Sequence, residues 1–288
     1  MMPSRCQTAV SMELTGSLFY LCWVCFGVGL KTNPSHKHNM ESVVQLPGTR
    51  VVFGDIPVRW IPPGRFTMGS PYSEKGRGGI YSISETQHEV SLTSGFFLAE
   101  TECTQAQWEA VMGSNPSKFK RLDHPVELVG WFDAEEFCQN LTAKHQKEGV
   151  LPEGCKWRLP TEAEWEFAAR AGSDAPYYGD LNQIAWYRGN SGGRSQPVKM
   201  KASNAWGLFD MLGNVSEWCA DWNGEYSVSA ETNPFGPKSG SDRVIRGGSW
   251  DCGEEHIRCA FRYWFDPDFR FNNIGFRLAL GPILGTKA

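Results

Sequence analysis

Helical periodicity ends at Gly172, and this loss constrains the fold more than any other feature of the chain. From there to Ala288, short apolar clusters alternate with Gly, Asn, Pro and Ser, and apolar residues rarely recur at a helical spacing. Such segments are typical of turns and irregular loops that share one large core. We therefore expect long structured loops in the second half of the chain.

The residue content agrees with a loop-rich architecture. Of 288 residues, 31 are Gly, 17 are Pro and 12 are Trp, which indicates many tight turns packed around large flat side chains. The 41% hydrophobic and 21% charged content is that of a globular protein. No internal repeat or low-complexity linker divides the body. We therefore predict one α+β domain at residues 53–282, followed by a short tail at 283–288.

Helix signals are confined to the first half. Thr161 followed by Glu164 forms a capping box, Thr104 is a candidate N-cap, and Asp133 begins a third helical pattern that places Cys138 on its buried face. Strand candidates lie at 60–70, 88–92 and 95–102.

The N-terminus differs from the body. Residues 17–30 carry no charge and follow Arg5, a pattern typical of a secretory signal peptide and short for a membrane span. A short membrane anchor is the alternative, and only this segment would then contact a membrane. We predict a leader at 1–31, a flexible spacer at 32–52, and export to the periplasm, the extracellular space or the cell envelope.

The cysteine content points to the same compartment. Three of nine cysteines lie in the predicted leader, and the body contains Cys103, Cys138, Cys155, Cys219, Cys252 and Cys259. An even number of cysteines in an exported chain indicates disulfides, although many pairings are open. The body has no C-x-x-C pair, so we do not expect a zinc ribbon or a thioredoxin-type site.

Charge and histidine spacing exclude two other classes of site. The net charge of -4 provides no basic field for phosphates, so nucleic acid is not an expected partner. The body histidines His88, His124, His145 and His256 are scattered without the spacing of metal ligands, so a histidine metal centre is not expected either.

The candidate functional stretch is residues 243–252 (RVIRGGSWDC). An apolar pair leads into Arg246 and two glycines, where only backbone can fit, and then a hydroxyl, an indole and a thiol follow. This is either the floor of an active site or the seam of a glycine-rich core. Ser249 could bind a substrate or satisfy backbone groups in a crowded turn, and Trp250 is interpreted as core or pocket wall.

Four blocks of sequence follow one another in the order in which they occur in a known protein family. They are 157–166 (WRLPTEAEWE), 204–218 (NAWGLFDMLGNVSEW), 246–250 (RGGSW) and 273–277 (NIGFR). Together they resemble the signature blocks of the sulfatase-modifying-factor family, which includes the formylglycine-generating enzymes, over residues 57–280. The resemblance implies a variant C-type-lectin-like fold with little regular secondary structure.

The resemblance also implies an activity and a metal. The family's enzymes oxidise a cysteine of a sulfatase segment to formylglycine with O₂, using two cysteines that hold Cu(I). Soft thiolates select Cu(I), and linear ligation needs two sulfurs. Cys252 stands at the first position, so we expect it to be the catalytic and copper-binding thiol, with Ser249 assisting. Ile257 stands at the second position, where this sequence departs from the enzymes.

A structural disulfide is implied by the same resemblance. Cys259 begins a block (CAFR) similar to the family's Cys-Ala-Ala-Arg block, whose cysteine is bonded, and the partner position here is Cys138. A Cys219–Cys252 disulfide is an alternative use of the Cys252 thiol and would prevent Cu(I) binding. Cys103 then remains, with Cys155, paired or free.

The 204–218 block implies a calcium site. The carboxylates of Asp210 and Glu217 and the carbonyls of Gly213 and Val215 match the family's second calcium site, and hard oxygen ligands from one irregular loop suit Ca²⁺. A hydrogen-bonded acidic turn is the alternative. The three glutamates of the 157–166 block are expected to cap their helix and pair with arginines.

Three functions are consistent with these observations. The first is a formylglycine-generating oxidase that acts on a sulfatase or another polypeptide segment. The second is an exported, non-catalytic binding module that keeps the fold and the calcium site and binds a peptide, a glycan or a cell-envelope partner. The third is a family enzyme with cysteine-independent chemistry, as the family's pyoverdine-maturation members suggest.

Overall fold

The structure, a computed structural model, describes residues 46–77 and 85–282. The predicted leader at 1–31 and the tail at 283–288 lie outside the described residues. In the part of the chain that is described, no helix is both long and apolar enough to cross a bilayer. Export therefore stays a prediction from the N-terminal sequence.

Local capping fixes the start of two helices as predicted. Helix α1 (Gln105–Met112) follows Thr104, and helix α3 (Glu162–Arg170) follows Thr161. The Glu164 N–H donates to Thr161 Oγ1 at 3.1 Å, and Glu164 Oε2 accepts from the Thr161 N–H at 2.9 Å. Each box satisfies two backbone donors that a helix start would otherwise leave unpaired.

Helix α2 (Trp131–Lys147) begins earlier than the sequence predicted. Asp133 is its third residue rather than its cap, and Asp133 Oδ2 accepts from the Gly130 N–H at 2.7 Å. The predicted buried face is confirmed. It consists of Ala134, Phe137, Cys138 and Leu141, together with His145.

The strands, numbered in chain order, form three sheets within the described residues. The five-stranded sheet has the order β1-β2-β5-β12-β6 and comprises Arg50–Phe53, Ile56–Ile61, Phe96–Ala99, Ala279–Pro282 and Cys155–Arg158. The four-stranded sheet has the order β10-β9-β7-β11 and comprises Arg262–Phe265, Arg243–Arg246, Ser216–Trp222 and Ile274–Gly275. The three-stranded sheet has the order β3-β4-β8 and comprises Gly64–Met68, His88–Leu92 and Glu231–Thr232. The pairs β7–β11 and β4–β8 are parallel, and the other pairs are antiparallel.

Helix α3 is buried along its whole length, and its glutamates are paired with arginines. All 9 residues are buried, including three carboxylates. The pairs are Glu162 with Arg246 and Arg262, Glu164 with Arg158, and Glu166 with Arg170 and Arg246. A buried carboxylate is costly unless it is paired, and removing one partner costs about 3–5 kcal/mol. The predicted capping and pairing roles of these glutamates are confirmed.

Between α3 and β7 the chain is irregular apart from the one-turn helix α4 (Leu181–Ile184). Asn204 attaches this stretch to α3, because its Nδ2 donates to the carbonyls of Ala168 at 2.7 Å and Ala169 at 3.1 Å. Those carbonyls belong to the last turn of the helix, where a carbonyl has no N–H donor within the helix. The predicted loop-rich α+β architecture is confirmed.

Candidate functional site

A turn at two glycines positions the candidate site residues. Gly247 and Gly248 have φ values of +89° and +68°, in the region that disfavours side chains. A Cβ on Gly248 would lie 2.4 Å from the carbonyl oxygen of His256. The glycines therefore allow the chain to turn sharply after β9, which brings the buried Ser249 beside the half-buried Cys252.

Cys252 belongs to a compact polar network. Ser249 Oγ donates to Asp251 Oδ1 at 2.7 Å, and Cys252 Sγ lies 3.2 Å from Ser249 Oγ. Asn273 Nδ2 donates to Asp251 Oδ1 at 2.9 Å and to Ser249 Oγ at 3.3 Å. Asp251 and Cys252 compete for the single Ser249 hydrogen, because a hydroxyl has only one to donate. The network fixes the position of the Cys252 side chain.

The electrostatics favour the protonated form of Cys252. Burial raises its pKa and the charge of Asp251 raises it further, whereas the hydrogen bonds with Ser249 and the charge of Arg188 lower it. The net shift is upward, which disfavours the thiolate that acts as a nucleophile or a metal ligand.

Aromatic and apolar side chains form much of a cleft of about 450 Å³ beside this network, which we name the Cys252 cleft. The aromatic and apolar residues that line it are Ile245, Phe261, Tyr263, Phe265 and Ile274. Phe265 stacks on Phe269 with ring centroids 4.2 Å apart, and Phe269 stacks on Phe271 at 5.8 Å. Phe269 and Phe271 are 36% and 48% exposed. These three phenylalanines form a row, the aromatic row, that leads from the cleft to solvent.

The residues present do not fit a two-thiolate Cu(I) site. Among the cysteines of the described residues, Cys252 alone lines the cleft. Ile257, at the position of the second thiol, is fully buried. Cys219 and Cys259 are buried in the hydrophobic core, and burial raises the pKa of both thiols, that of Cys259 to about 12. We therefore derive no chemical step through copper.

The predicted disulfides are not formed. All six cysteines of the described residues are free thiols. Cys138 lies in the hydrophobic cluster under α2, whereas Cys259 lies in the separate cluster around α3, so the prediction of a Cys138–Cys259 bond was wrong. The alternative Cys219–Cys252 bond is not formed either, because Cys219 Sγ contacts the Glu217 carbonyl at 3.9 Å while Cys252 joins its own network.

Three buried carboxylates converge where calcium was predicted. Glu217 accepts from Arg277 through both oxygens, at 2.6 Å each, whereas Asp210 Oδ1 and both oxygens of Glu102 have no hydrogen-bond partner. Burial, reinforced by the charges of Asp210 and Glu217, raises the pKa of Glu102 well above its ordinary value. Burial also raises the pKa of Asp210 to about 6.

These unpaired oxygens fit a bound cation. Ca²⁺ prefers carboxylate and carbonyl oxygens and would supply the positive charge that Glu102 and Asp210 lack. Within the described residues, no three acidic, histidine or cysteine side chains hold a metal by themselves, so the predicted carbonyls of Gly213 and Val215 would be needed. Glu217 has little remaining capacity because Arg277 holds both of its oxygens. The calcium site stays a prediction, and Glu102 joins its candidate ligands.

Sequence reasoning found some of these residues and missed others. Ser249 and Cys252 are brought together as expected. Asp251 and Asn273 were missed as network members, although both stand in or beside the quoted blocks. Glu102 was read as the end of a strand, and only the fold brings it to Asp210.

Comparison with known proteins places this arrangement in a family. The family model described as the sulfatase-modifying factor enzyme 1-like domain matches residues 56–281. The chain is 33% identical over 223 residues to the chaperone protein LppX of Paenibacillus barcinonensis, covering 60% of this chain and 76% of that protein. It is 34% identical over 198 residues to the formylglycine-generating enzyme of Mus musculus, covering 60% of this chain and 49% of the mouse protein.

A solved structure extends the likeness to the fold. Treponema denticola variable protein 1 superposes with a TM-score of 0.69 at 33% identity, covering 80% of this chain and 98% of that one. The predicted variant C-type-lectin-like fold is confirmed. The match spans only about half the length of the mouse enzyme. It therefore supports a shared family and fold, and it does not establish that enzyme's activity for this chain. The family match over residues 56–281 and the fold together show that the chain belongs to the sulfatase-modifying-factor family.

Proposed function

We propose that the Cys252 cleft binds an extended polypeptide segment without two-thiol copper oxidation. The aromatic row carries this proposal. Phe269 and Phe271 are exposed and stacked in line with Phe265, which also lines the cleft. Rigid exposed rings beside a concave surface are typical of sites that bind apolar side chains, because ring burial is strongly favourable and few rotamers are lost.

The polar network at the base of the cleft supports binding over catalysis. Cys252 is a protonated thiol, and the Ser249 hydroxyl is used within the protein. Groups that already satisfy one another hold the cleft in one shape, which reduces the cost of ordering it around a ligand. Among the relatives, LppX is named a chaperone protein.

Peptide selection tests the proposal. The full chain is immobilised and used to select phage-displayed random peptides, and the recovered peptides are titrated as fluorescein conjugates by fluorescence anisotropy. The Phe269→Ser/Phe271→Ser variant should weaken binding about tenfold, the expected loss for two exposed ring contacts. Phe132→Ser is the matched control, since Phe132 is 49% exposed and does not line the cleft. Failure to enrich any peptide, or equal affinity in both variants, would contradict the proposal.

A second candidate function is formylglycine generation, favoured by the contact between Cys252 and Ser249 at the family's active-site positions. It is tested with a Cys-x-Pro-x-Arg peptide incubated with the protein, Cu(I), O₂ and a thiol reductant. Conversion of the peptide thiol to an aldehyde lowers the peptide mass, and Cys252→Ser should abolish it. Under our proposal the peptide mass does not change, and Cys252→Ser binds selected peptides like the parent protein.

We also propose that Glu102, Asp210 and the Gly213 and Val215 carbonyls hold Ca²⁺. The unpaired oxygens of Glu102 and Asp210 support this assignment. The ion would fix the irregular loop that precedes β7, and β7 is the strand next to β9, from which the cleft turn begins. Calcium would thus act on the shape of the cleft rather than on a reaction. Because the predicted leader would direct the chain out of the cytoplasm, the polypeptide partner would also be outside the cytoplasm.

A further inference from the structure

Arg243 differs from every other buried arginine of the described residues. Seven arginines of the described residues are buried, and six of them form ion pairs with carboxylates. Those six are Arg158, Arg170, Arg246, Arg258, Arg262 and Arg277. Arg243, which is 8% exposed, has no carboxylate within ion-pair distance in the described part of the chain. Since a buried charge is costly without a partner, an anionic partner from outside is the missing element.

Two indoles hold the Arg243 guanidinium in place. Its Cζ lies 3.7 Å from the ring centroid of Trp131 and 3.5 Å from that of Trp222, so the cation is stacked between two aromatic faces. Nη1 donates to the Ala220 carbonyl at 2.5 Å, whereas Nε has no hydrogen-bond partner. The side chain is therefore rigid but incompletely satisfied along one edge.

A cleft of about 340 Å³ lies at this guanidinium, which we name the Arg243 cleft. Lys156 and Lys238 line it and add positive charge, and Phe235 and Pro237 provide an apolar wall. The one acidic side chain that lines it is Glu135, whose pKa is raised by burial despite the nearby positive charges.

Charges around Arg243 do not remove the need for a partner. Burial lowers the pKa of Arg243 to about 10, and the charges of Glu135 and Asp221 act in the opposite direction without completing an ion pair. Arg243 therefore stays protonated at neutral pH. Its charge and the apolar wall both line the Arg243 cleft, and its unpaired Nε is buried beside them.

We propose that the Arg243 cleft is a second binding site, which takes an organic carboxylate with an apolar body. The carboxylate would accept hydrogen bonds from the guanidinium of Arg243, as protein carboxylates do from the six other buried arginines. The apolar body would lie against Phe235 and Pro237. Lys156 and Lys238 would strengthen binding from the rim. The site does not depend on the function of the Cys252 cleft, with which it shares no lining residue.

The guanidinium itself reports binding in solution. In ¹⁵N–¹H spectra of the full chain, the Arg243 Nε–H resonance is identified by its loss in Arg243→Lys and is sensitive to the ring currents of both indoles. Benzoate is the probe, benzyl alcohol is the neutral control, and sulfate is the tetrahedral anion. We expect benzoate to shift this resonance saturably, benzyl alcohol to have no effect, and sulfate to bind about tenfold more weakly, because it lacks the apolar body.

Two variants separate binding from folding. Lys156→Gln/Lys238→Gln alters side chains that are partly or fully exposed, so folding should be unaffected, and benzoate affinity should fall about threefold to tenfold. Arg243→Lys keeps the charge but loses the planar fork and the reporter resonance, so its benzoate affinity is measured by isothermal titration calorimetry, and we expect a loss of about tenfold or more. Lys118→Gln, outside the cleft, is the matched control.

Three results would overturn the proposal. The first is a benzoate shift that does not saturate. The second is a shift that benzyl alcohol reproduces, which would show apolar contact without carboxylate recognition. The third is a benzoate affinity that is unchanged in the double lysine variant and in Arg243→Lys. Sulfate binding as tightly as benzoate would assign the site to inorganic anions instead of organic carboxylates.

Discussion

The Sγ of Cys252 lies 3.2 Å from the Oγ of Ser249, whose own hydrogen is directed to Asp251. Asp251 thus competes with Cys252 for the single Ser249 hydrogen, and a Cys252 thiolate would have to draw that hydrogen away from Asp251. Burial raises the pKa of Cys252, so the thiolate is disfavoured at this position.

This arrangement predicts slow alkylation of Cys252. Because burial raises its pKa, iodoacetamide should label Cys252 slowly at neutral pH and faster as the pH rises. Ser249→Ala removes a hydrogen bond that favours the thiolate, so labelling at a fixed pH should slow by about threefold. Mass spectrometry of the Cys252 peptide gives the rate, and Ser216→Ala, in the same cleft, is the control. Faster labelling in Ser249→Ala would contradict the network.

Calcium should stabilise the folded chain. At a free Ca²⁺ concentration about 100 times the Kd, the gain in the free energy of unfolding is about 2.7 kcal/mol. Glu102→Gln removes a carboxylate that lacks a protein partner, so this variant should lose most of the calcium effect. Thermal melts in calcium and in EGTA provide the measurement, and Glu109→Gln on the exposed face of α1 is the control. A Tm that does not respond to calcium would exclude the site.

Acid should destabilise the packing of α2 against β6 through His145. This side chain is fully buried, and its Nδ1 accepts from Trp157 Nε1 at 3.0 Å, which requires a neutral ring. Burial lowers the pKa of His145 from its ordinary value of 6.5. The unfolded chain therefore binds the proton first, and stability is lost as the pH falls below 6.5. The loss amounts to about 1.4 kcal/mol for each unit by which the pKa is lowered.

Denaturant unfolding between neutral and mildly acidic pH measures this effect. His145→Gln keeps a polar side chain but cannot be protonated in this range. It should show a smaller loss of stability on acidification than the parent protein does. An identical pH dependence in the two proteins would show that His145 is not the responsible group.

Peptide mapping without reductant should recover Cys138 and Cys259 as separate alkylated peptides. Each thiol packs in its own hydrophobic cluster, so Cys138→Ala should cost only lost packing, about 1–2 kcal/mol. Loss of a disulfide that closes so long a loop would typically cost about 2–5 kcal/mol. Recovery of a Cys138–Cys259 cross-linked peptide would contradict the structure.

Features determined by neighbouring residues could be predicted from the sequence. The box between Thr161 and Glu164 spans one helical turn, so residue type and spacing are sufficient to identify it. The loop-rich second half follows from the loss of periodicity after Gly172 for the same reason. The start of α2 was misplaced because Asp133 can serve either as a cap or as a third helical residue, and the two patterns look alike in sequence.

Features that depend on tertiary contacts could not be predicted in this way. Whether Cys138 meets Cys259 depends on which cluster each thiol enters, and sequence spacing carries no information on that. Glu102 gives no signal of its own, because its importance comes from Asp210, which reaches it only in the folded chain. Arg243 likewise stands out only once six other arginines are seen with carboxylates and it is seen without one.

The long sequence separation of the ion pairs on α3 has a consequence for how the chain folds during synthesis. Glu162 is neutralised by Arg262, 100 residues later in the chain. A buried ion pair outside α3 spans even more of the chain, because Glu74 and Arg258 are separated by 184 residues. A nascent chain that ends before Arg246 cannot bury α3 without leaving the Glu162 carboxylate unpaired, and such distant contacts are slow to form. We expect the domain to stay unfolded on the ribosome until nearly all of it has emerged, and then to fold as one unit.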